Sequence, residues 1–323
     1  MKRLSLLVLG TLLASSFSSP LYAQPPQRPL LPLSTWQLPD YHAVEASEAF
    51  TFPDGSNFDS AADVEMLPNG NLLVLNRGPK PFMEFDPSGK LLRAFGPEGV
   101  FARVHGFDLD EAGNIWVSDF FGHTVRKFDK DGNELLVLGT HGTSGEWNEA
   151  AGTQLFNQPN ETAIDSQGNV YVVQGHVAGE PRVLKFTADG KFIKQWGERG
   201  AGPGQLAVAH GIQIDAEDNI YVADRENFRV AIFDTEGNFT GEWKYDAMVC
   251  GIYLHDDGYM YFTTGFDGEV AKADMEGKLI GSLGSPGEGN GQFGEAHYLV
   301  LDEDDNIYVA DVVRRLVQKF TKD

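Results

Sequence analysis

The sequence predicts an all-β fold, a six-bladed β-propeller, on three observations. One local pattern recurs six times, opening a short apolar run at Asn71, Asn114, Asn169, Asn219, Tyr259 and Asn306. Its period of about 40 to 55 residues signals a propeller or solenoid and not a string of independent domains. Within each unit, apolar and aromatic runs are broken by Asp-Gly and Gly-Asn turns, and no stretch of the repeats carries a convincing helical period. Each unit has room for four such runs. Six four-stranded antiparallel sheets arranged in a ring leave only short, protected sheet edges.

The fourth unit shows the elements in order. An alternating strand over Gly211-Ile212-Gln213-Ile214-Asp215 is followed by a tight turn and a second strand, Ile220-Tyr221-Val222-Ala223-Asp224. A third runs through Val230-Ala231-Ile232-Phe233, and a turn at Gly237-Asn238 leads into a fourth that passes Trp243. For ring closure, Asn306 to Lys322 is expected to supply the last three strands of the sixth blade, with a segment between Trp36 and Phe52 pairing at its outer edge.

Nine positions before the six anchors stand Ala62, His105, Asn160, His210, Cys250 and His297. The first strand of a propeller blade lines the central channel, so three imidazoles on alternate blades are expected around the axis with near threefold symmetry. Three neutral imidazoles with an open fourth position describe a catalytic zinc site. Cys250 is the single cysteine, so neither an intramolecular disulfide nor a thiolate cluster is available.

Composition sets the context. The chain has 323 residues, 41% of them hydrophobic, and a formal charge of −22, which disfavours nucleic acid and anionic lipid as partners. Met1-Lys2-Arg3, the apolar run Leu4 to Leu13 and the small residues ending at Ala23 read as a secretory signal peptide. The apolar run is too short to span a bilayer. The expected organisation is therefore a signal peptide over 1–23, a Pro-rich arm over 24–45 and a propeller over 46–323, in a periplasmic or secreted monomer.

The units, of the form Asp-x-x-Gly-Asn-x-Tyr-Val-x-Asp, resemble NHL repeats. Phe156-Asn157-Gln158-Pro159, the run Phe192 to Glu198, Pro203-Gly204-Gln205 and Ala223-Asp224-Arg225-Glu226-Asn227 further resemble peptidyl-α-hydroxyglycine α-amidating lyase. That family holds a catalytic zinc through three histidines on a six-bladed propeller, and the matching positions are His105, His210 and His297. The resemblance also places two active-site arginines at Arg77 and Arg225, each six positions after its blade's anchor. It departs at two places. Where the family has a catalytic tyrosine, this chain has Val173-Gln174-Gly175-His176, so His176 becomes a candidate base. After the third histidine, Tyr298 replaces an Asp that helps bind a structural calcium; this removes a calcium ligand and brings a phenol near the metal.

The activity implied is zinc-assisted cleavage of an α-hydroxyglycine carbinolamide to an amide and glyoxylate, on a small-molecule or peptide substrate with a terminal carboxylate. Arg77 and Arg225 would orient that carboxylate. Two other classes stay open, an exported binding scaffold and a metal-dependent lactone or ester hydrolase, because a propeller does not by itself decide function.

Overall fold

The structure, a computed structural model, describes Leu33 and residues 37–323 apart from Ala178. The expected signal peptide, and the Pro-rich stretch as far as Pro32, lie outside the described residues. Among these residues no helix is long and apolar enough to cross a membrane.

Six four-stranded sheets form the ring. Their first strands are Ala61–Met66, Val104–Leu109, Pro159–Ile164, Ala209–Ile214, Ile252–His255 and Ala296–Leu301. All pairing within the blades is antiparallel; blade four runs Ala209–Ile214, Ile220–Asp224, Arg229–Phe233, Phe239–Lys244. The second strands explain why the repeat is most legible there. Ile220–Asp224 is buried at every residue because both its faces meet neighbouring blades, so it reads as a continuous apolar run. The outer strand Phe239–Lys244 is part-exposed and correspondingly mixed.

The turns between first and second strands are built by aspartates. Asp215 Oδ1 accepts the backbone N–H groups of Glu217 and Asn219, and its other oxygen accepts the Asn219 amide. Asp110, Asp165 and Asp302 likewise hold Asn114, Asn169 and Asn306. The left-handed position of this turn is taken by Gly113 and Gly168 in two blades and by Asp218 and Asp305, at φ 63° and 62°, in two others. Aspartate is among the few non-glycine residues that accept this backbone, which is why Gly-Asn and Asp-Asn interchange in the repeat.

The core is divided into clusters between adjacent blades. Tyr171, Val173 and Val183 of blade three pack on Ile212, Val222 and Phe233 of blade four. At the seam, Val74, Met83 and Phe85 of blade one meet Val300, Ala310 and Val317 of blade six under Phe50 and Phe58.

Closure differs from the sequence expectation in one respect. Asn306 to Lys322 supplies only the second and third strands of blade six, Ile307–Asp311 and Leu316–Lys322, and the fourth is Tyr41–Ala43 from the N-terminal side. The ring therefore begins before residue 46, because Tyr41–Ala43 pairs with the edge of Leu316–Lys322 that would otherwise stand open. The same segment bridges Gln37 to Ser282 on blade five and Thr51 to Lys90 beside blade one, so it ties three blades together. Deleting residues 37–52 should lower the unfolding temperature by 10 °C or more, an order of magnitude set by several kcal/mol of lost pairing and burial. A thermal melt that does not move would place closure elsewhere.

Candidate metal centre and channel mouth

The three histidines sit at irregularities of their first strands. Pairing registers shift between Val104 and Phe107, between Ala209 and Gly211, and between Ala296 and Leu299. Extra residues at such a bulge bend the strand and re-aim a side chain. His105, His210 and His297 are thereby buried together, with ring centroids 4.8 Å apart for His105 and His210, 4.6 Å for His105 and His297 and 5.0 Å for His210 and His297. The approach to each is clamped by the last Asp of a Tyr-Val-x-Asp or Trp-Val-x-Asp run. Asp119 accepts the N–H groups of Ala102 and Arg103, Asp224 those of Ala207 and Val208, and Asp311 those of Gly294 and Glu295.

Two of the three rings are also steered by the following odd-numbered blade. His105 Nδ1 hydrogen-bonds Asn160 O at 3.1 Å, and His297 Nδ1 hydrogen-bonds Ala62 O at 2.6 Å. The Cys250 carbonyl stands in the same relation to His210 and favours its charged form, but neither ring nitrogen of His210 makes a hydrogen bond of normal geometry. Glycine after the histidine permits the close approach: a Cβ on Gly211 would stand 2.4 Å from Cys250 O, and one on Gly106 2.8 Å from Asn160 O. So two of the residues that separate the histidines in the ring, Ala62 and Asn160, orient His297 and His105 through their carbonyls, while Cys250 O lies close behind Gly211.

A fourth imidazole joins them. His176 follows the second strand of blade three, Val170–Gln174, and its ring lies 5.0 Å from His105 and 5.1 Å from His210. Candidate donor atoms of His105, His176 and His210 all fall within 4.8 Å of one another. This trio exchanges His176 for the expected His297.

The cluster fits a metal on the chemistry of its donors. Burial first, and then the neighbouring imidazoles and arginines, holds the proton affinity of all four rings well below the usual histidine range. They are neutral at physiological pH, the state a metal requires. With Nδ1 of His105 and His297 turned to carbonyls, Nε2 is left as donor. His210 keeps both nitrogens, and His176 its Nδ1, buried without a hydrogen-bond partner. Orphaned buried nitrogens are costly in a core, and ligation relieves that cost.

Arg77 and Arg225 stand at the same mouth. Each follows a second strand, which ends where the antiparallel first strand begins. Arg77 Nε donates to Val104 O at 3.0 Å, beside His105, and Arg225 Nη1 lies 3.3 Å from His176 Nε2. Arg225 is 4% exposed and also contacts Glu226. Three further residues at the mouth escaped the sequence reading. Phe120 forms an apolar wall against His105 and His176, with centroids at 5.6 and 4.9 Å. Glu295 is buried; burial raises its proton affinity while Arg225, Arg77 and Arg103 oppose that rise. Phe120 occupies the position in blade two that Arg77 and Arg225 hold in theirs, so the repeat register could have found it; Arg103 and Glu295, two residues before their histidines, carry no type-specific signal.

Tyr298 lies beneath the imidazoles. Its hydroxyl donates to His210 O at 2.8 Å and sits 3.4 Å from His105 Nδ1. Burial, with Glu161 and Asp63 nearby, pushes the phenol well above its ordinary range, and its hydrogen bond ties it to the His210 backbone. It offers no carboxylate, and the calcium set implied by the resemblance is not reproduced at this position.

Deeper in the channel, Asp63 accepts Phe107 N–H and Glu161 accepts Ile212 N–H, each pinning the backbone two residues past a histidine. Asp108 is nearby, its carboxyl pushed up to about 7, chiefly by burial. Between its unfolded value near 4 and about 7, the folded protein holds a proton that the unfolded chain lacks, so this group's contribution falls as pH rises through that window. Asp108→Asn should thus be near neutral at pH 4 and stabilise by roughly 1 kcal/mol or more at pH 8. Denaturant unfolding at both pH values checks it; an equal gain at both would remove the argument. Asp108 also lines a concavity with Asp110, Asp165 and Asp215, at the ends of the first strands away from the histidines.

Comparisons with known proteins agree with this geometry at the level of the fold. A family model described as a 6-bladed beta-propeller matches residues 162–275. NHL repeat-containing protein 3 of Homo sapiens is 32% identical over 187 residues, 54% of this chain and 51% of that protein. Peptidylglycine alpha-amidating monooxygenase of Rattus norvegicus is 29% identical over 291 residues, 83% of this chain but 28% of its own length. A probable peptidyl-alpha-hydroxyglycine alpha-amidating lyase of Caenorhabditis elegans is 29% identical over 197 residues, 59% of this chain and 51% of that one. The chain thus spans about half, or less, of the length of these relatives. Among solved structures, a streptogramin B lyase superposes with a TM-score of 0.62 at 13% identity, covering 88% of this chain and 98% of that one. A gluconolactonase of Xanthomonas campestris gives 0.60 at 14%, covering 82% and 88%. At such identities these two share the fold alone.

Proposed function

We propose that this six-bladed propeller, a homologue of NHL-repeat proteins and amidating lyases, is a zinc-dependent lyase that cleaves α-hydroxyglycine-type carbinolamides. The observation that carries the reading is the packing of His105, His210 and His297 within 4.6 to 5.0 Å of one another at the mouth where Arg77 and Arg225 also stand. Imidazole donors suit zinc, and the bound ion supplies Lewis-acid stabilisation of negative charge on the substrate hydroxyl oxygen.

This chain's own residues do the rest. Arg77 and Arg225 bind the substrate carboxylate, a role that planar guanidiniums perform with directional, charge-assisted bonds. Phe120 covers one side and limits water. His176, neutral and beside Arg225, accepts the hydroxyl proton; the carbon–nitrogen bond then breaks as the hydroxyl oxygen becomes the aldehyde carbonyl, and the proton passes to the departing amide nitrogen. The products are an amide and glyoxylate, with no oxidant or water consumed.

A lactone or ester hydrolase ranks behind this because its support is likeness of fold at 14% identity, and a binding scaffold because the matched relatives include amidating lyases. The test is glyoxylate release from α-hydroxyhippurate by zinc-loaded protein. Turnover supports the lyase; zinc binding with no glyoxylate, from this and from peptidyl substrates, points to the scaffold.

A further inference from the structure

We infer that His176 is a metal ligand in the substrate-free protein, completing a four-imidazole site with His105, His210 and His297. His105 and His210 form a shared edge, 4.8 Å between centroids, and His297 and His176 each lie close to both of its ends, at 4.6 and 5.0 Å and at 5.0 and 5.1 Å. The mutual 4.8 Å limit on donor atoms is met by the trio that contains His176. Ligands around a tetrahedral zinc stand roughly 3.4 Å apart, given zinc–nitrogen bonds of about 2.0 to 2.1 Å, so side-chain adjustments on the order of an ångström bring His105, His176 and His210 to ligand spacing. The loop after Val170–Gln174 brings this ring in, and Gly175, at φ 100°, makes the turn: a Cβ there would lie 2.6 Å from Pro181.

The hydrogen bonding around His176 agrees. Its Nδ1 is buried with no partner, which a metal would satisfy. Its Nε2 faces Arg225 Nη1 at 3.3 Å, a long contact. Ligation through Nδ1 puts the ring proton on Nε2, turns that contact into two donors facing each other and releases the Arg225 guanidinium toward the mouth. Metal loading and the availability of Arg225 for a substrate carboxylate are then coupled through one ring. His176 would hold the metal in the substrate-free protein and, once freed by a substrate hydroxyl, would stand beside that hydroxyl as its proton acceptor.

The inference rests on the histidine cluster's being a metal site and is independent of carbinolamide chemistry. It is tested with Zn²⁺ and Co²⁺ on the full chain, comparing wild type with His176→Gln and His297→Gln. Zinc affinity is measured against a chromophoric chelator, and the visible spectrum of the cobalt protein reports the coordination sphere. His176→Gln should weaken zinc binding at least tenfold and alter the intensity and position of the cobalt bands, as His297→Gln does. Wild-type affinity together with a wild-type cobalt spectrum in His176→Gln would overturn the inference, whatever the glyoxylate assay shows. Conversely, altered metal binding in a protein that releases no glyoxylate keeps this inference and discards the lyase. Melting of the metal-free variants separates loss of ligation from loss of fold.

Discussion

His105→Ala and His210→Ala are expected to reduce bound zinc from about one ion per chain to a small fraction of that, the largest effect of any single change in this protein. These two rings belong to both overlapping trios, 4.8 Å apart and adjacent to each of the other imidazoles. His297→Ala removes a ring from only one trio and should weaken binding without abolishing it at saturating zinc. Metal analysis after gel filtration checks the order, with circular dichroism to confirm that the ring has formed. If all three variants keep wild-type zinc, the shared metal centre is wrong.

The second large effect concerns turnover. Arg77→Ala should lower glyoxylate release by about a hundredfold or more with zinc retained, in line with losses measured for single electrostatic stabilisers. Arg77 also donates to Val104 O, next to His105, so a displaced histidine is the competing cause. The two separate cleanly: a loss of orientation leaves metal content unchanged, and a displaced ligand lowers it. A near-wild-type rate would remove Arg77 from the proposed chemistry, and activity lost with Arg77→Ala but kept with His176→Ala would remove His176 as the proton acceptor.

The histidine triad was legible because one geometric slot recurs. A strand that begins at the axis in every blade puts residues at equal repeat positions at equal depth, and counting nine back from Asn114, Asn219 and Asn306 reaches three residues that meet. Arg77 and Arg225 were singled out by the family resemblance, and the repeat register supported their placement because second strands return to the mouth from which first strands depart. His176 was visible only as a departure from a family pattern. It stands in a loop outside the periodic part of the blade, so nothing in the repeat specifies whether its ring turns to solvent or to His105.

By itself the sequence determined the propeller, its six units, their antiparallel order and the axial histidines, because each follows from a short-range period in which apolar burial alternates with turn chemistry. Only the tertiary structure decided that residues 41–43 of the expected closing segment form the fourth strand of blade six, that Tyr298 supports His210, that Ala62 and Asn160 steer two of the imidazoles through their carbonyls, and that His176 joins the cluster. These are contacts between residues as much as 281 positions apart, as for His42 and Asp323 at the seam. No local pattern encodes them: they arise when closing the circle brings the two ends of the chain, and the interiors of opposing blades, to one axis.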